Sequence, residues 1–292
     1  MFKNVIVGVD GSPNGRDAIA IAAPLTDADG RTTLVHVHSG LLRPSAAVTL
    51  RPAYDDAEAS IRLLERERTE TGVDAEIASV VALSVGRGLH EQAERQHADL
   101  IVVGSCSRGL LGRVFVGDDA RAALNGAPCA IAISARFFAA QDGPFKRIGV
   151  GYDETPESEA ALAAAREIAA VSGAGLHALQ AVSLPVYAYD ALVIGAVMDD
   201  MLEDANARLA ALPDVDGHAV SGYSGEELAA FSATLDLLVV GSRSYGPVRR
   251  LVLGSTSHYL ERFARCSLLV LPRTAVTVAA DRKAREAQPT AA

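Results

Sequence analysis

The chain has 292 residues, a formal net charge of −9 and an isoelectric point near 5.3. That acidic balance argues against a general binder of nucleic acid or anionic membrane, because such affinity rests on a basic surface. No signal-peptide core precedes the first apolar run and no stretch of about 18 apolar residues occurs, so the expectation is a cytoplasmic protein, neither secreted nor membrane-spanning.

In chain order, Asn4 to Val9 reads as a strand ending at Asp10, and Ser12-Pro13 opens a helix through about Ala23, since a hydroxyl N-cap followed by proline is a helix start. Thr32 to Val37 is a second strand, Tyr54 to Thr71 an amphipathic helix stopped by Gly72, and Ala75 to Val81 a third strand. Leu89 to Gln96 is a helix, Leu100 to Val103 a fourth strand, Asp119 to Leu124 a helix start and Ala130 to Ser134 a fifth strand. The second half gives strands at Ile148 to Tyr152, Leu176 to Val182, His218 to Ser221, Leu237 to Val240 and Leu268 to Leu271. Its helices fall at Glu157 to Val171, Tyr189 to Leu212, Glu226 to Thr234 and Thr256 to Ala264, the first capped by Thr155-Pro156 with Glu159 near the acid position of a capping box.

The two halves repeat one another. Leu100 to Ile133 is echoed by Leu237 to Val270 without insertion, so that Gly104-Ser105 matches Gly241-Ser242, Gly117 matches Gly254 and Cys129 matches Cys266. Lys3 to Pro13 is echoed by Lys146 to Pro156, aligning Gly8 with Gly151, Asp10 with Asp153 and Ser12 with Thr155. Runs such as LIVVG and LLVVG are apolar throughout rather than alternating, as strands are when helices cover both faces of a parallel sheet. The expected fold is therefore α/β: two tandem, doubly wound, five-stranded parallel-sheet domains, at residues 1–138 and 145–273. Residues 274–292 lack periodicity and are expected to be a disordered tail.

Ligands of an open parallel sheet sit beyond the carboxyl ends of its strands, where the strand order reverses. There each half brings an Asp after its first strand, the end of its second strand and the glycine loop after its fourth. Glycine lets backbone approach a phosphate, and free N–H groups at a helix start attract an anion. Ser255 and Thr256 at such a start either bind phosphate or cap the helix. Arg243, Arg249 and Arg250 either neutralise phosphate or are simply solvated. His36, His38, His90 and His97 share no metal spacing, nor do Cys106, Cys129 and Cys266, and an odd cysteine count fits a reducing compartment. Cys129 and Cys266 are expected to be buried, while Cys106 sits in a turn.

These residues resemble the universal stress protein family. Its loop pattern, glycine, two residues, glycine, nine residues, then glycine with Ser or Thr, stands in the second half as Gly241, Ser244 and Gly254-Ser255, with serine at the middle glycine. The resemblance covers nearly all of residues 1–273, twice, and implies that ATP or another adenine nucleotide, with or without Mg²⁺, is held by Gly151, Asp153, Ala181, Val240, Gly241, Ser242, Arg243, Ser244, Gly254, Ser255 and Thr256. The first-half counterparts are Gly8, Asp10, Val37, Gly104 and Gly117. There Ser107 replaces the middle glycine, and Asp118-Asp119 replace the closing hydroxyls and would repel a phosphate.

An asymmetric molecule is thus expected, binding adenylate chiefly in its second domain and serving a regulatory role in stress response. The alternatives are an interaction scaffold of the same family that has lost its nucleotide, and an ATP hydrolase. Against the hydrolase stands the lack of a Walker-type lysine, a general base or a carboxylate-rich Mg²⁺ site. The apolar terminal strands suggest intramolecular pairing of the halves and a possible homodimer.

Overall fold

The apolar runs become parallel strands and the segments between them become helices. The computed structural model describes residues 1–38, 51–105, 123, 125–141, 143, 145–183, 191–242, 251 and 254–272, with backbone alone at 51–55 and 191–194. The chain divides into two compact units, Met1–Pro144 with Arg250–Val252, and Phe145–Arg249 with Leu253–Ala292. The expected tail and the helix start at Asp119 to Leu124, apart from Ala123, lie outside the described residues.

Unit 1 contains β1 (Phe2–Gly8), α1 (Pro13–Leu25), β2 (Thr26–His38), α2 (Arg51–Thr71), β3 (Glu76–Val81), α3 (Val85–Gln96), β4 (Leu100–Gly104) and β5 (Ala130–Ser134), then a 3₁₀ turn at Phe138–Ala140. Its strands lie parallel in the order β3-β2-β1-β4-β5, with Val5 level with both Thr32 and Leu100. Unit 2 contains β6 (Arg147–Gly151), α4 (Pro156–Ser172), β7 (Gly175–Val182), α5 (Ala191–Ala210), β8 (Asp216–Ser221), α6 (Ser224–Phe231), a 3₁₀ turn at Ser232–Thr234, β9 (Leu237–Gly241), α7 (Ser255–Phe263) and β10 (Ser267–Leu271). Its parallel order β8-β7-β6-β9-β10 repeats that of unit 1, with Ile148 level with Leu176 and Leu237. The α/β class with doubly wound parallel sheets is thus the fold observed.

The central strands are buried on both faces: Leu100 to Val103 and Leu237 to Val240 are almost wholly removed from water. Each sheet is pinned at its amino end by an aspartate just before the fourth strand. Asp99 accepts the N–H groups of Lys3 and Asn4 at 2.8 and 2.9 Å, and Asp236 accepts those of Lys146 and Arg147 at 2.7 and 2.8 Å. These charge-assisted bonds fix the register of the first strand against the fourth, and so fix where both strands end.

Several boundaries differ from the sequence expectation. β2 begins at Thr26 rather than Thr32, because Thr26 pairs with Phe2 and Arg31 with Asn4 across a shift in register at Asp27 to Gly30. α3 begins at Val85 rather than Leu89; Gly86 and Gly88, weak helix formers, hide a start that Ser84 caps by accepting the Arg87 N–H at 3.3 Å. Ser12 occupies the N-cap of α1 without making a cap bond, and its hydroxyl donates to Asp10 Oδ1 at 2.6 Å instead. Glu159 is not the acid of a capping box: it accepts from the Tyr152 hydroxyl, while the Thr155 N–H goes to Asp153 Oδ1 at 3.3 Å.

Candidate functional site

In unit 2 the chain order reverses between β6 and β9, and beyond the carboxyl ends of β6, β7 and β9 lies a solvent-open cleft. It is lined by eight of the residues singled out from sequence: Gly151, Asp153, Ala181, Val240, Gly241, Gly254, Ser255 and Thr256. Tyr152, Thr155, Glu157, Ser158, Leu179, Ser224, Leu228 and Ser257 complete the lining. Arg243 and Ser244 lie outside the described residues. Ser242 does not face the cleft: its N–H bonds the Leu271 carbonyl at 2.9 Å, which continues the pairing of β9 with β10 and turns the side chain into the interior at 0% exposure.

Three helices begin at this cleft, and their first turns differ. α4 is capped by Thr155, whose hydroxyl oxygen accepts the Ser158 N–H at 3.3 Å, and carries Glu157 and Glu159 in its first turn. α6 carries Glu226 and Glu227 there. α7 starts at Gly254, which has no side chain with which to cap it, and has no acid in its first turn. Ser255 and Thr256 are therefore inside the first turn rather than caps. The partial positive charge of α7, and first-turn N–H groups that have no intrahelical acceptor, face the cleft without a protein anion of that turn to offset them.

The opposite wall is held by a small network around Asp153. Its Oδ1 accepts from the Thr155 N–H and, at 2.5 Å, from the Thr155 hydroxyl, while its own N–H donates to Ser158 Oγ at 3.2 Å. Ser158 Oγ in turn donates to the Thr155 carbonyl at 3.0 Å. Beside it, burial and the neighbouring Glu159 push the Tyr152 phenol well above its ordinary range, so the phenol keeps its proton at physiological pH. Leu179, Ala181, Leu228 and Val240 supply an apolar floor.

Gly241 has a packing reason as well as a place in the cleft. A β-carbon there would stand 2.6 Å from the Glu157 carbonyl oxygen and 2.7 Å from Glu157 Cβ, so the bare backbone lets the first turn of α4 rest on the end of β9. In unit 1 the same contact recurs: a β-carbon on Gly104 would lie 2.3 Å from the Asn14 carbonyl oxygen.

The remaining first-half candidates fall on matching elements. Gly8 ends β1, and Asp10 Oδ1 accepts from the Ser12 N–H at 3.0 Å, as Asp153 accepts from Thr155. Val37 lies against α3, where a β-carbon on Gly88 would be 2.6 Å from Val37 Cγ1, so valine fills space at the level where Ala181 borders the cleft of unit 2. Gly117, Ser107, Asp118, Asp119 and Cys106 lie outside the described residues.

Histidines of unit 1 bond within it: His36 Nδ1 meets Ser60 Oγ at 2.8 Å, His38 Nε2 meets Ser79 Oγ at 3.1 Å and His90 Nε2 meets the Ala123 carbonyl at 2.6 Å. Among the described residues no group of three His, Cys, Asp or Glu side chains is placed to hold a metal ion, and no helix is long and apolar enough to cross a membrane.

Glu157, Ser158, Ser224 and Leu228 were not singled out from sequence. Thr155 followed three residues later by a hydroxyl was a signal for Ser158; for the α6 residues the sheet order had to be known first.

The chain aligns with a universal stress protein of Mycobacterium tuberculosis at 29% identity over 290 residues, covering 91% of this chain and 96% of that one. A universal stress protein of Thermus aquaticus is 29% identical over 136 residues, 45% of this chain and 97% of its own length. Among solved structures, a universal stress protein from Pseudomonas aeruginosa superposes with a TM-score of 0.65 at 16% identity, covering 97% of this chain and 98% of that one. One from Archaeoglobus fulgidus superposes with a TM-score of 0.64 at 18% identity, covering 92% and 98%. The sequence model of the Universal stress protein family matches twice, over residues 1–134 and 144–272, and the chain belongs to that family as a tandem member.

Proposed function

We propose that the second domain holds an adenine nucleotide, ATP or another adenylate, and that occupancy rather than turnover is the regulatory signal in a cytoplasmic stress response. The observation that carries this reading is the junction, in one cleft, of an apolar floor with the uncapped, acid-free start of α7. Phosphate oxygens would meet the N–H groups of Gly254, Ser255 and Thr256 and the hydroxyls of Ser255 and Thr256, with the bare backbone of Gly241 beside them. The base would lie on Ala181 and Leu179 near Asp153 and Gly151, between Leu228 and Val240.

Binding without turnover is supported by the state of Asp153. Its carboxylate is engaged by Thr155 in a local turn, and the same arrangement at Asp10 marks it as a structural acceptor. In the first domain, Val37 against Gly88 and the acids Asp118 and Asp119 favour a weaker site or none.

Mass spectrometry of the small molecule that co-purifies with the protein, followed by isothermal titration with AMP and Mg-ATP, tests this. The expected result is an adenylate at no more than one tight site per chain, lost in Gly254→Asp, which puts a carboxylate at the start of α7. Binding that survives this change would remove the assignment. An empty protein that also ignores added adenylates would favour the scaffold.

A further inference from the structure

We infer that Tyr223 is the outer wall of the base pocket: its ring stacks on the face of the base turned away from the apolar floor, so that a flat aromatic base is held on both sides. The inference rests on the adenylate reading above and deepens it by assigning a residue that selects for the base. Tyr223 is the N-cap of α6, at the rim where the next residue, Ser224, and Leu228 one turn further on both line the cleft. Its backbone is held there. The Tyr223 carbonyl accepts the Glu227 N–H at 3.0 Å, and a β-carbon at Gly225 would stand 2.9 Å from Tyr259 Cβ, so the first turn of α6 rests on α7.

The ring does little for the fold. It is 72% exposed, so little of its apolar surface is removed from water, and at an N-cap it makes no side-chain bond to the helix. The repeat shows what the fold alone asks for. At the start of α3, the matching helix of unit 1, the N-cap is Ser84, whose hydroxyl oxygen accepts the Arg87 N–H at 3.3 Å. The match is fixed by packing, since Leu89 and Leu228, each at the same step beyond its cap, stand against Gly8 and Gly151 at the ends of the first strands. Unit 2 thus gives up a capping hydroxyl for an exposed aromatic ring on the rim of its cleft. A flat heteroaromatic base offsets this loss: stacked on the ring, it covers one phenol face, removes water from both surfaces and leaves the hydroxyl at the solvent edge. Leu179, Ala181, Leu228 and Val240 meet the other face of the base.

The test uses the full-length protein, titrated calorimetrically with adenosine and AMP, beside Tyr223→Ser and Tyr223→Phe. Tyr223→Ser, which puts the capping residue of unit 1 in place, should leave the melting temperature equal or higher. Its affinities for adenosine and AMP should both fall by the same factor, roughly tenfold, because one aromatic–base stack is lost and the start of α7 is untouched. Tyr223→Phe keeps the ring and should bind adenosine within about twofold of wild type. The chain contains no tryptophan, so Tyr223→Trp supplies a single indole, whose emission should be quenched as adenosine saturates the site. Adenosine affinity equal in wild type and Tyr223→Ser, or indole emission that bound adenosine leaves unchanged, overturns the inference, while the wild-type titration keeps the adenylate reading standing. If wild type binds neither adenosine nor AMP, both fail together.

Discussion

Gly241 and Glu157 touch so closely that the strand end and the helix start occupy one another's van der Waals space: a single β-carbon on Gly241 would meet the Glu157 carbonyl oxygen at 2.6 Å. Backbone cannot yield as a flexible side-chain tip can, so Gly241→Ala must push α4 away from β9. The expected cost is about 1–3 kcal/mol, in the range of core overpacking, with weakened adenylate binding because Glu157, Thr155 and Ser158 move together. Gly104→Ala should cost as much through Asn14 and leave the second-domain affinity intact. Urea denaturation of both variants, with Gly72→Ala as the control, checks this: Gly72 has φ +66 but nothing near its missing β-carbon, so about 1 kcal/mol is expected there.

How far the sequence could be read is visible in the same contact. The strands β4 and β9 were legible because their residues are apolar without alternation, and the helix starts because Thr155-Pro156 announces one. Gly151, Asp153, Gly241 and Gly254 lie at ends of elements, and the internal repeat marked those ends. Glu157 was not legible as a wall of the cleft, since its place depends on α4 resting on β9, a contact between residues far apart in the chain. Ser224 and Leu228 depend on the sheet order in the same way. Ser242 went the other way: adjacent to Gly241, it looked like loop, yet one more bond to β10 turned it inward. The start of α3 was hidden because Gly86 and Gly88 lower its helix propensity, although packing against Val37 at Gly88 needs the missing side chain.

Asp17 holds the segment that follows β5. Only 4% exposed, its carboxylate accepts the N–H groups of Phe137 and Ala139, both at 2.9 Å, and so fixes the 3₁₀ turn Phe138–Ala140 on α1. The repeat has Ala160 at this position, which places the device in the first half alone. Asp17→Ala removes the acceptor for two N–H groups, and about 2–3 kcal/mol of destabilisation is expected. Asp17→Asn keeps one acceptor oxygen and should lose less. Hydrogen exchange at Phe137 and Ala139 should accelerate in Asp17→Ala, and unchanged exchange would refute the tether.

Asp99 and Asp236 make the corresponding pair of bonds at the amino ends of the two sheets, each to two consecutive N–H groups. Replacing either by alanine should cost about 2–3 kcal/mol through the charge-assisted bonds lost. The sites lie in separate units with no shared hydrogen-bond partners, so the two losses should add in the double variant to within about 0.5 kcal/mol. A double variant no less stable than the worse single one would contradict this, and denaturant midpoints measure it directly.

Cys129 and Cys266, at 6% and 3% exposure, lie at matching positions just before β5 and β10. Burial, reinforced by Asp99, pushes the Cys129 thiol from its ordinary 9.0 up to about 12, and burial beside Asp236 raises Cys266 as well. Since the thiolate is the nucleophile, neither should react with a thiol reagent at pH 8 in the folded protein, and mapping of labelled peptides should show both modified only as the chain unfolds. The same shift sets a pH dependence. Below about pH 9 the thiols are protonated in both states and contribute no slope; above it the unfolded chain releases protons that the native chain keeps until about pH 12. Stability therefore falls as the pH rises from 9 towards 12. Between pH 8 and pH 10 the wild-type denaturant midpoint should drop further than that of a Cys129→Ala, Cys266→Ala double variant, and equal drops would mean that these thiols titrate alike in the folded and unfolded chains.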